Sequence, residues 1–171
     1  MYRLIEKAQK GDDRAFLQLF QTYEIDIYRM GYTYVGNKED ALDVVQETAY
    51  KSFKAIQTLK NPTYFKTWLL KIAINCSLDI LRKRKKKNDF NEDEIIHENF
   101  AEHLPEVFDL QQCIDYLSPD EKSIILLRFY EDLTIKEVAN LLEMPLGTAK
   151  TILYRSLQKL RQQLQEGGSY V

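Results

Sequence analysis

The residues of this chain whose types and spacing could do chemistry lie together on one predicted helix near the C-terminus. Residues 133–164 form two amphipathic helical patterns on either side of the tight turn 143–145, which is typical of a helix-turn-helix. The second helix of such a module enters the major groove of DNA, where short polar and basic side chains reach base edges and cations contact phosphates. The residues predicted to contact duplex DNA are Gly147, Thr148, Lys150, Thr151, Tyr154, Arg155 and Lys159. An ordinary helical hairpin with a charged outer face is the alternative, but every charge in residues 150–165 is positive, which favours DNA.

A second group of cations forms the unbroken run RKRKKK at residues 82–87. It ends a predicted helix, 64–87, that carries Phe65 and Trp68 near its start. Aromatic rings stack on bases while cations bind phosphates, so this helix could hold a single nucleic-acid strand. Two structural explanations stay open. An aromatic ring could belong to the core, and the cations could complement the helix dipole, although six of them exceed what a dipole needs.

A third polar pattern lies on the predicted helix 38–56. The residues expected on its inner face are Ala41, Val44, Val45, Thr48, Ala49, Ser52 and Phe53. The residues expected on its outer side include Asp40, Asp43, Gln46, Glu47 and Lys51. Polar side chains at near-helical spacing are by themselves explained most simply as a solvated surface.

Catalytic and metal sites are not predicted. Cys76 and Cys113 lie in apolar helical contexts with no CxxC, so both are expected to be buried thiols. His97 and His103 stand in an acidic stretch, and no carboxylate cluster or Cys/His pair has catalytic spacing. No apolar run approaches the ~20 residues that span a bilayer, and the N-terminus lacks a signal-peptide core. We expect a cytoplasmic protein that is not an enzyme, with no cofactor, metal or membrane insertion of its own.

The elements that must position these groups are helices, because Gly and Pro, at 6 and 4 residues, are scarce in the 171-residue chain. Turn and capping signals divide the chain into helical segments. These signals lie at residues 11–13, 36–37, 57–63, 118–121, 134–137 and 143–145.

Charge is sorted along the chain although the formal net charge is only −2. Residues 88–110 contain eight acidic residues and no Lys or Arg. We therefore predict an all-α fold of two small helical domains, 1–87 and 111–171, joined by a flexible acidic linker at 88–110. The helix-turn-helix belongs to the C-terminal domain.

Four stretches of the chain together resemble the extracytoplasmic-function sigma factors, the small two-domain class of sigma-70 initiation factors in bacteria. In chain order they are GDDRAFLQLFQTY, EDALDVVQETAYKSF, FKTWLLKIAINCSLDILRKRKK and LSPDEKSIILLRFYEDLTIKEVANLLEMPLGTAKTILYRSLQKLR. The combination of DALDVVQE, TWLLKIAIN and PLGTAKT is highly specific, and the resemblance covers nearly the whole chain.

The resemblance implies a role for each of the three patterns. The helix 38–56 would dock on the clamp helices of the largest RNA polymerase subunit through Asp40, Asp43, Gln46 and Glu47. The melted −10 promoter element would be bound by Leu59, Lys60, Asn61, Trp68, Lys71 and Asn75, with Arg82 and Arg84 of the basic run on phosphates. The C-terminal helix would read the −35 element as duplex. Two positions depart from the family pattern, since Ile152 stands where Arg is common and Leu70 where an aromatic is common.

We therefore expect an RNA polymerase sigma factor that binds core polymerase and directs promoter recognition, DNA melting and transcription initiation. Its partners would be core RNA polymerase and promoter DNA, and the resemblance implies an anti-sigma factor as regulator. Two alternatives stay open, namely a stand-alone helix-turn-helix transcriptional regulator and a polymerase-binding adaptor.

Overall fold

The computed structural model describes residues 1–88 and 110–167, and the chain divides into two compact units, Met1–Asp93 and Glu94–Val171. Within the described residues all regular secondary structure is helical, which confirms the predicted all-α class. The predicted acidic linker lies almost wholly outside the described residues, as do His97 and His103.

The first unit is built from four α-helices and two short 3-10 turns in the described part of the chain. The helices are α1 (Tyr2–Gln9), α2 (Asp13–Val35), α3 (Lys38–Ala55) and α4 (Phe65–Asn88). The 3-10 turns, Ile56–Thr58 and Pro62–Tyr64, flank a short loop between α3 and α4. Residues 59–63, which include most of the second turn, are called the α3–α4 loop below.

Local capping chemistry starts and stops these helices where the sequence predicts it. Asp12 caps α2 by accepting a hydrogen bond from the amide of Ala15 at 3.0 Å, directly after Gly11 with φ +91°. Asn37 caps α3 by accepting from the amide of Asp40 at 2.9 Å. Gly36 ends α2 in the left-handed region with φ +73°, where a residue without Cβ is least strained.

Helices α2 and α3 approach closely at Gly31. A Cβ placed on Gly31 would lie 3.0 Å from Cβ and Cγ1 of Val44, which is itself fully buried. The absence of a side chain at residue 31 therefore sets the distance between the two helices. Of the predicted inner face of α3, Phe53 differs, because 40% of it is exposed and its ring meets Phe16 only edge-on at 5.1 Å.

The second unit begins at the edge of the described residues with α5 (Leu110–Asp115). It continues with α6 (Pro119–Ile125), a π-helical turn (Leu126–Tyr130), α7 (Ile135–Leu141) and α8 (Leu146–Gly167). The predicted capping boxes are both present, Ser118 with Glu121 at the start of α6 and Thr134 with Glu137 at the start of α7.

The π-helical turn follows from an unusual burial pattern. Residues 121–127 are all buried, which one face of a regular α-helix cannot provide. Phe129 and Tyr130, at the end of this wider turn, are 53% and 67% exposed.

The apolar stripe predicted for α8 is only partly buried. Ala149 is fully buried and anchors the start of the helix, and Ser156 is buried about two turns later on the same side. In contrast, Leu157 and Leu164 are 38% and 48% exposed. Helical periodicity therefore predicts which side of α8 is apolar, but it does not predict how much of that side the neighbouring helices cover.

Candidate nucleic-acid and protein interfaces

The leading turn of α8 is open to solvent at the residues predicted to read duplex DNA. Gly147, Thr148, Lys150 and Thr151 are all exposed, and a Cβ at Gly147 would meet nothing within 4 Å. Thr151 Oγ1 donates to the carbonyl of Gly147 at 2.9 Å, which fixes the hydroxyl and leaves its lone pairs outward. The exposed turn can therefore present both short polar groups and a cation to a groove.

Tyr154 follows the leading turn on the same helix and is 72% exposed. It is one of the residues predicted to contact duplex DNA. Its high exposure leaves it available to a ligand.

Arg155 and Lys159 have a partner that the sequence prediction did not foresee. Arg155 Nε donates to Glu121 Oε1 at 3.0 Å, and Lys159 Nζ donates to Glu121 Oε2 at 2.9 Å. The two cationic side chains remain 60% and 45% exposed, whereas the carboxylate is fully buried. Both cations can still meet phosphates, but from positions set by a carboxylate.

Burial alone would raise the pKa of Glu121. Other effects outweigh burial and lower the pKa of Glu121 below its usual value. In order of size they are the hydrogen bond from Lys159, the hydrogen bond from the Ser118 amide, the positive charge of Lys159 and the hydrogen bond from Arg155. The group is therefore ionised at neutral pH despite its burial.

The α3–α4 loop presents two of the three loop residues predicted to meet single-stranded DNA. Lys60 and Asn61 are exposed, and Asn61 Oδ1 accepts from the amide of Thr63 at 3.0 Å, which caps the second 3-10 turn. Leu59 is buried at 6% exposure, so its side chain anchors the loop. Its predicted contact with DNA stays a prediction.

Helix α1 holds this loop from both ends. Gln9 Nε2 donates to the carbonyl oxygens of Ile56 at 3.1 Å and Leu59 at 2.8 Å. The hydroxyl groups of Tyr2 and Thr63 are 3.0 Å apart and share a hydrogen bond. The shape of the loop thus depends on residues that no sequence pattern marked.

Helix α4 carries the remaining residues predicted for the single strand. Phe65 is a core residue at 1% exposure, while Trp68 is half-buried with its ring centroid 5.9 Å from that of Phe65. Leu70 is also in the core, at 2% exposure. Lys71 is half-buried and Asn75 is exposed. One ring is therefore structural and the other offers an accessible surface.

The basic end of α4 is tied back to the unit. Arg82 Nη1 lies 3.2 Å from Asp79 Oδ1, an exposed pair. Arg84 Nε lies 3.0 Å from Asp40 Oδ2, and Arg84 Nη1 donates to the carbonyl of Val35 at 2.9 Å. Two residues with separate predicted roles, in DNA binding and in polymerase docking, thus contact each other.

Asp40 serves the start of α3. Its Oδ2 also accepts from Asn37 Nδ2 at 3.0 Å, and its side chain is only 21% exposed. This geometry makes Asp40 a structural link between α3, α4 and the end of α2. That Asp40 also docks on a partner stays a prediction.

The outer face of α3 keeps the other docking candidates accessible. Asp43 and Gln46 are exposed, while Glu47 pairs with Lys51 at 3.4 Å and remains 49% exposed in its side chain. Leu42 and Tyr50, at 45% and 55% exposure, were not among the sequence candidates. Their exposure on the same helix gives the outer side of α3 apolar as well as polar contacts.

Both cysteines are buried free thiols, as predicted, and burial raises the pKa of the Cys76 thiol. Among residues 1–88 and 110–167 no group of His, Cys, Asp or Glu could hold a metal ion. In the same described residues, no helix combines the length and apolar character needed to cross a membrane.

Comparison with known proteins assigns a family to each unit. Residues 19–87 match the family model of sigma-70 region 2, and residues 113–162 match that of sigma-70 region 4. The two matches include α3, the α3–α4 loop, α4 and the helix-turn-helix.

Curated relatives extend over most of the chain. The chain is 38% identical over 141 residues to the RNA polymerase sigma factor SigV of Bacillus subtilis, covering 81% of this chain and 84% of the relative. It is 29% identical over 180 residues to the ECF RNA polymerase sigma factor SigW of the same organism, covering 95% of each.

Two solved structures share the fold. CnrH in complex with the cytosolic domain of CnrY matches with a TM-score of 0.71 at 20% identity, over 95% of this chain and 96% of that one. The sigma factor RpoE of Bartonella quintana, solved with the anti-sigma factor NepR, matches with a TM-score of 0.72 at 21% identity, over 88% and 96%.

Proposed function

Because this chain belongs to the extracytoplasmic-function sigma factors of the sigma-70 family, we propose that it divides promoter binding between its two units. It is an RNA polymerase sigma factor, and its function is to bind core polymerase and direct transcription initiation at promoters. The first unit docks on core polymerase and holds single-stranded DNA. The second unit binds duplex.

Docking on core polymerase is assigned to the outer face of α3. Asp43, Gln46 and Glu47 supply charge and hydrogen bonds, and Leu42 and Tyr50 supply apolar area among them. A helix that presents both kinds of group suits a partner made of helices, because apolar contacts give affinity while charges fix the register.

Single-strand binding is assigned to the α3–α4 loop and the accessible side of α4. Lys60 and Asn61 are exposed on a loop that hydrogen bonds from α1 hold in place. Trp68 offers a half-buried ring about two turns before the exposed Asn75 on α4. A fixed loop lowers the entropy cost of capturing a base, and unstacking one base costs only a few kcal/mol. Arg82 and the half-exposed Arg84 extend this surface with cations for phosphates.

Duplex binding at a −35 element is assigned to α8. The observation that carries this proposal is the exposed leading turn, Gly147 to Thr151, on a helix anchored by the fully buried Ala149. Lys150, Arg155 and Lys159 supply cations along the same helix, and each phosphate they neutralise should steepen the salt dependence of binding by about 0.9 in the log–log slope.

Run-off transcription tests the function directly. Purified core polymerase is given genomic fragments with and without the full-length chain, and new start sites are expected only with it. A lack of new start sites would contradict the assignment.

The division between units has its own test. The double variant Lys150→Ala, Arg155→Ala should weaken duplex promoter binding while co-purification with core polymerase stays at the wild-type level. Arg14→Ala, Arg29→Ala is the matched control, since it removes two exposed cations from α2. Equal loss of core binding in the first variant would overturn the division.

We also propose that an anti-sigma factor regulates this chain, and that it acts in the cytoplasm, where core polymerase is found. Support for the regulator comes from the fold that this chain shares with the sigma factor RpoE, solved with the anti-sigma factor NepR, and with CnrH, solved with the cytosolic domain of CnrY. Pull-down with candidate anti-sigma factors, with inhibition of run-off transcription as the readout, tests this part alone.

A further inference from the structure

The Glu121 carboxylate is the most deeply buried charged group among the described residues, with 0% exposure. It accepts three hydrogen bonds. Its Oε2 accepts from the Ser118 amide and from Lys159 Nζ, both at 2.9 Å, and its Oε1 accepts from Arg155 Nε at 3.0 Å. One side chain thus joins the start of α6 to two successive turns of α8.

A capping box alone does not need such burial. The second capping box in this unit places Glu137 at the same position relative to Thr134, and Glu137 is exposed without a cationic partner among the described residues. Burying a carboxylate is costly unless it is fully hydrogen-bonded. The additional partners of Glu121 therefore need an explanation beyond helix capping.

The geometry of the Arg155 contact supplies that explanation. Arg155 donates to Glu121 through Nε, and within the described residues its terminal Nη groups have no protein partner, while the side chain stays 60% exposed. A guanidinium held at Nε has its planar fork fixed in direction, with the outer donors still available for a phosphate or for a guanine edge.

We propose that Glu121 is a positioning residue for promoter recognition, which aims the outer donors of Arg155 at duplex DNA. This inference rests on the proposed function, because it requires that α8 binds the duplex. Lys159 donates to the other carboxylate oxygen and is positioned by the same group. Its contribution to promoter affinity is expected to be smaller than that of Arg155.

The variant Glu121→Gln separates positioning from capping. A glutamine supports a capping box, so its carbonyl oxygen can keep the bonds from the Ser118 amide and Lys159. Its amide nitrogen would then stand where Oε1 stood, facing the N–H of Arg155 with a second donor. The contact that must be lost is therefore the one to Arg155.

A double-mutant cycle on promoter affinity of the holoenzyme tests the proposal. The probe is a promoter fragment whose start site the wild-type chain directs in run-off transcription. Arg155→Ala is expected to weaken binding about tenfold. Glu121→Gln should weaken it about fivefold in the wild-type background and less than about twofold in the Arg155→Ala background, because it acts through Arg155.

Each other outcome has a defined meaning. Equal effects of Glu121→Gln in both backgrounds, or tighter binding because released cations become free for phosphates, would overturn positioning. Failure of Arg155→Ala and of Lys150→Ala to change affinity would instead contradict duplex binding by α8, on which the inference rests.

Control measurements exclude a trivial loss of folding. Glu137→Gln removes the same charge from the other capping box and should change promoter affinity less than about twofold. Glu121→Asp keeps the charge on a shorter side chain, and partial recovery of affinity relative to Glu121→Gln is expected. Affinity is measured well below the thermal unfolding midpoint of each variant, so that the unfolded fraction does not contribute.

Discussion

Replacement of Gln9 tests whether α1 shapes the loop proposed to capture a single strand. Its amide donates to two carbonyl oxygens, of Ile56 and Leu59, that lie 47 and 50 residues further along the chain. Gln9→Met keeps the length of the side chain and removes both hydrogen bonds. Gln9→Glu keeps the shape of the side chain but replaces the donating amide with a carboxylate, which faces the carbonyl oxygens of Ile56 and Leu59 and can only accept hydrogen bonds.

The size of the effect follows from these two contacts. A typical intramolecular hydrogen bond contributes about 1 kcal/mol net, so Gln9→Met should lower the free energy of unfolding by about 2 kcal/mol. Gln9→Glu should lower it further at neutral pH, because a carboxylate then faces two carbonyl oxygens. The loss should shrink as the pH falls, since a protonated carboxyl donates one hydrogen bond.

Strand opening is the functional measurement. Permanganate reactivity of promoter thymines should fall about tenfold for Gln9→Met, equivalent to roughly 1.4 kcal/mol, with core binding unchanged. Gln21→Met, at an exposed position of α2, is the matched control. Wild-type opening by a Gln9→Met chain that has lost the expected stability would refute the idea that this contact shapes the DNA-binding loop.

Three further predictions follow from described contacts. Asp43→Arg should lower core-polymerase affinity at least about tenfold in a binding titration, with duplex binding kept, because it reverses an exposed charge on the docking face. Gly31→Ala should destabilise by about 1 kcal/mol net in urea unfolding, since overpacking against Val44 exceeds the gain in helix propensity, and the same change should stabilise in a Val44→Ala background. Because the folded-state pKa of Glu121 lies below its unfolded value, its contribution to stability is complete above the unfolded pKa and lost as the pH falls through the folded one. The free energy of unfolding should therefore fall less steeply with decreasing pH in Glu121→Gln than in the wild-type chain. An unchanged dependence at acid pH would contradict an ionised, buried Glu121.

Helix boundaries and caps could be predicted from the sequence because they depend on residues within a few positions of one another. Asp12, Asn37, Ser118 and Thr134 each cap the helix that immediately follows. The exposed leading turn of α8 was predictable for the same reason, since turn and helix are adjacent in the chain.

The extent of burial could not be predicted in the same way. Periodicity gives the apolar side of a helix, but whether another element covers it depends on tertiary packing. Leu157 and Phe53 have the spacing of core residues and remain 38% and 40% exposed. Leu59, in contrast, lies in a loop without periodicity and is buried.

Long-range polar partners were the least predictable part of the candidate site. Glu121 was recognised as a capping residue, but its partners Arg155 and Lys159 are 34 and 38 residues away. The contact between Asp40 and Arg84 likewise joins residues whose predicted roles were separate. A cation on a helix face has the same sequence pattern whether its partner is a phosphate or a carboxylate.

Trp68 gives the chain a fluorescent reporter of its own. It is the only tryptophan of the sequence, so excitation at its absorption edge observes the first unit selectively. Its half-buried ring lies on the surface assigned to the captured strand, and stacking of a base on it would quench the emission. Unlabelled oligonucleotides can therefore be titrated against unmodified protein. A change in Trp68 emission reports single-strand binding by the first unit, whereas duplex binding by α8, which contains no tryptophan, is not expected to change it.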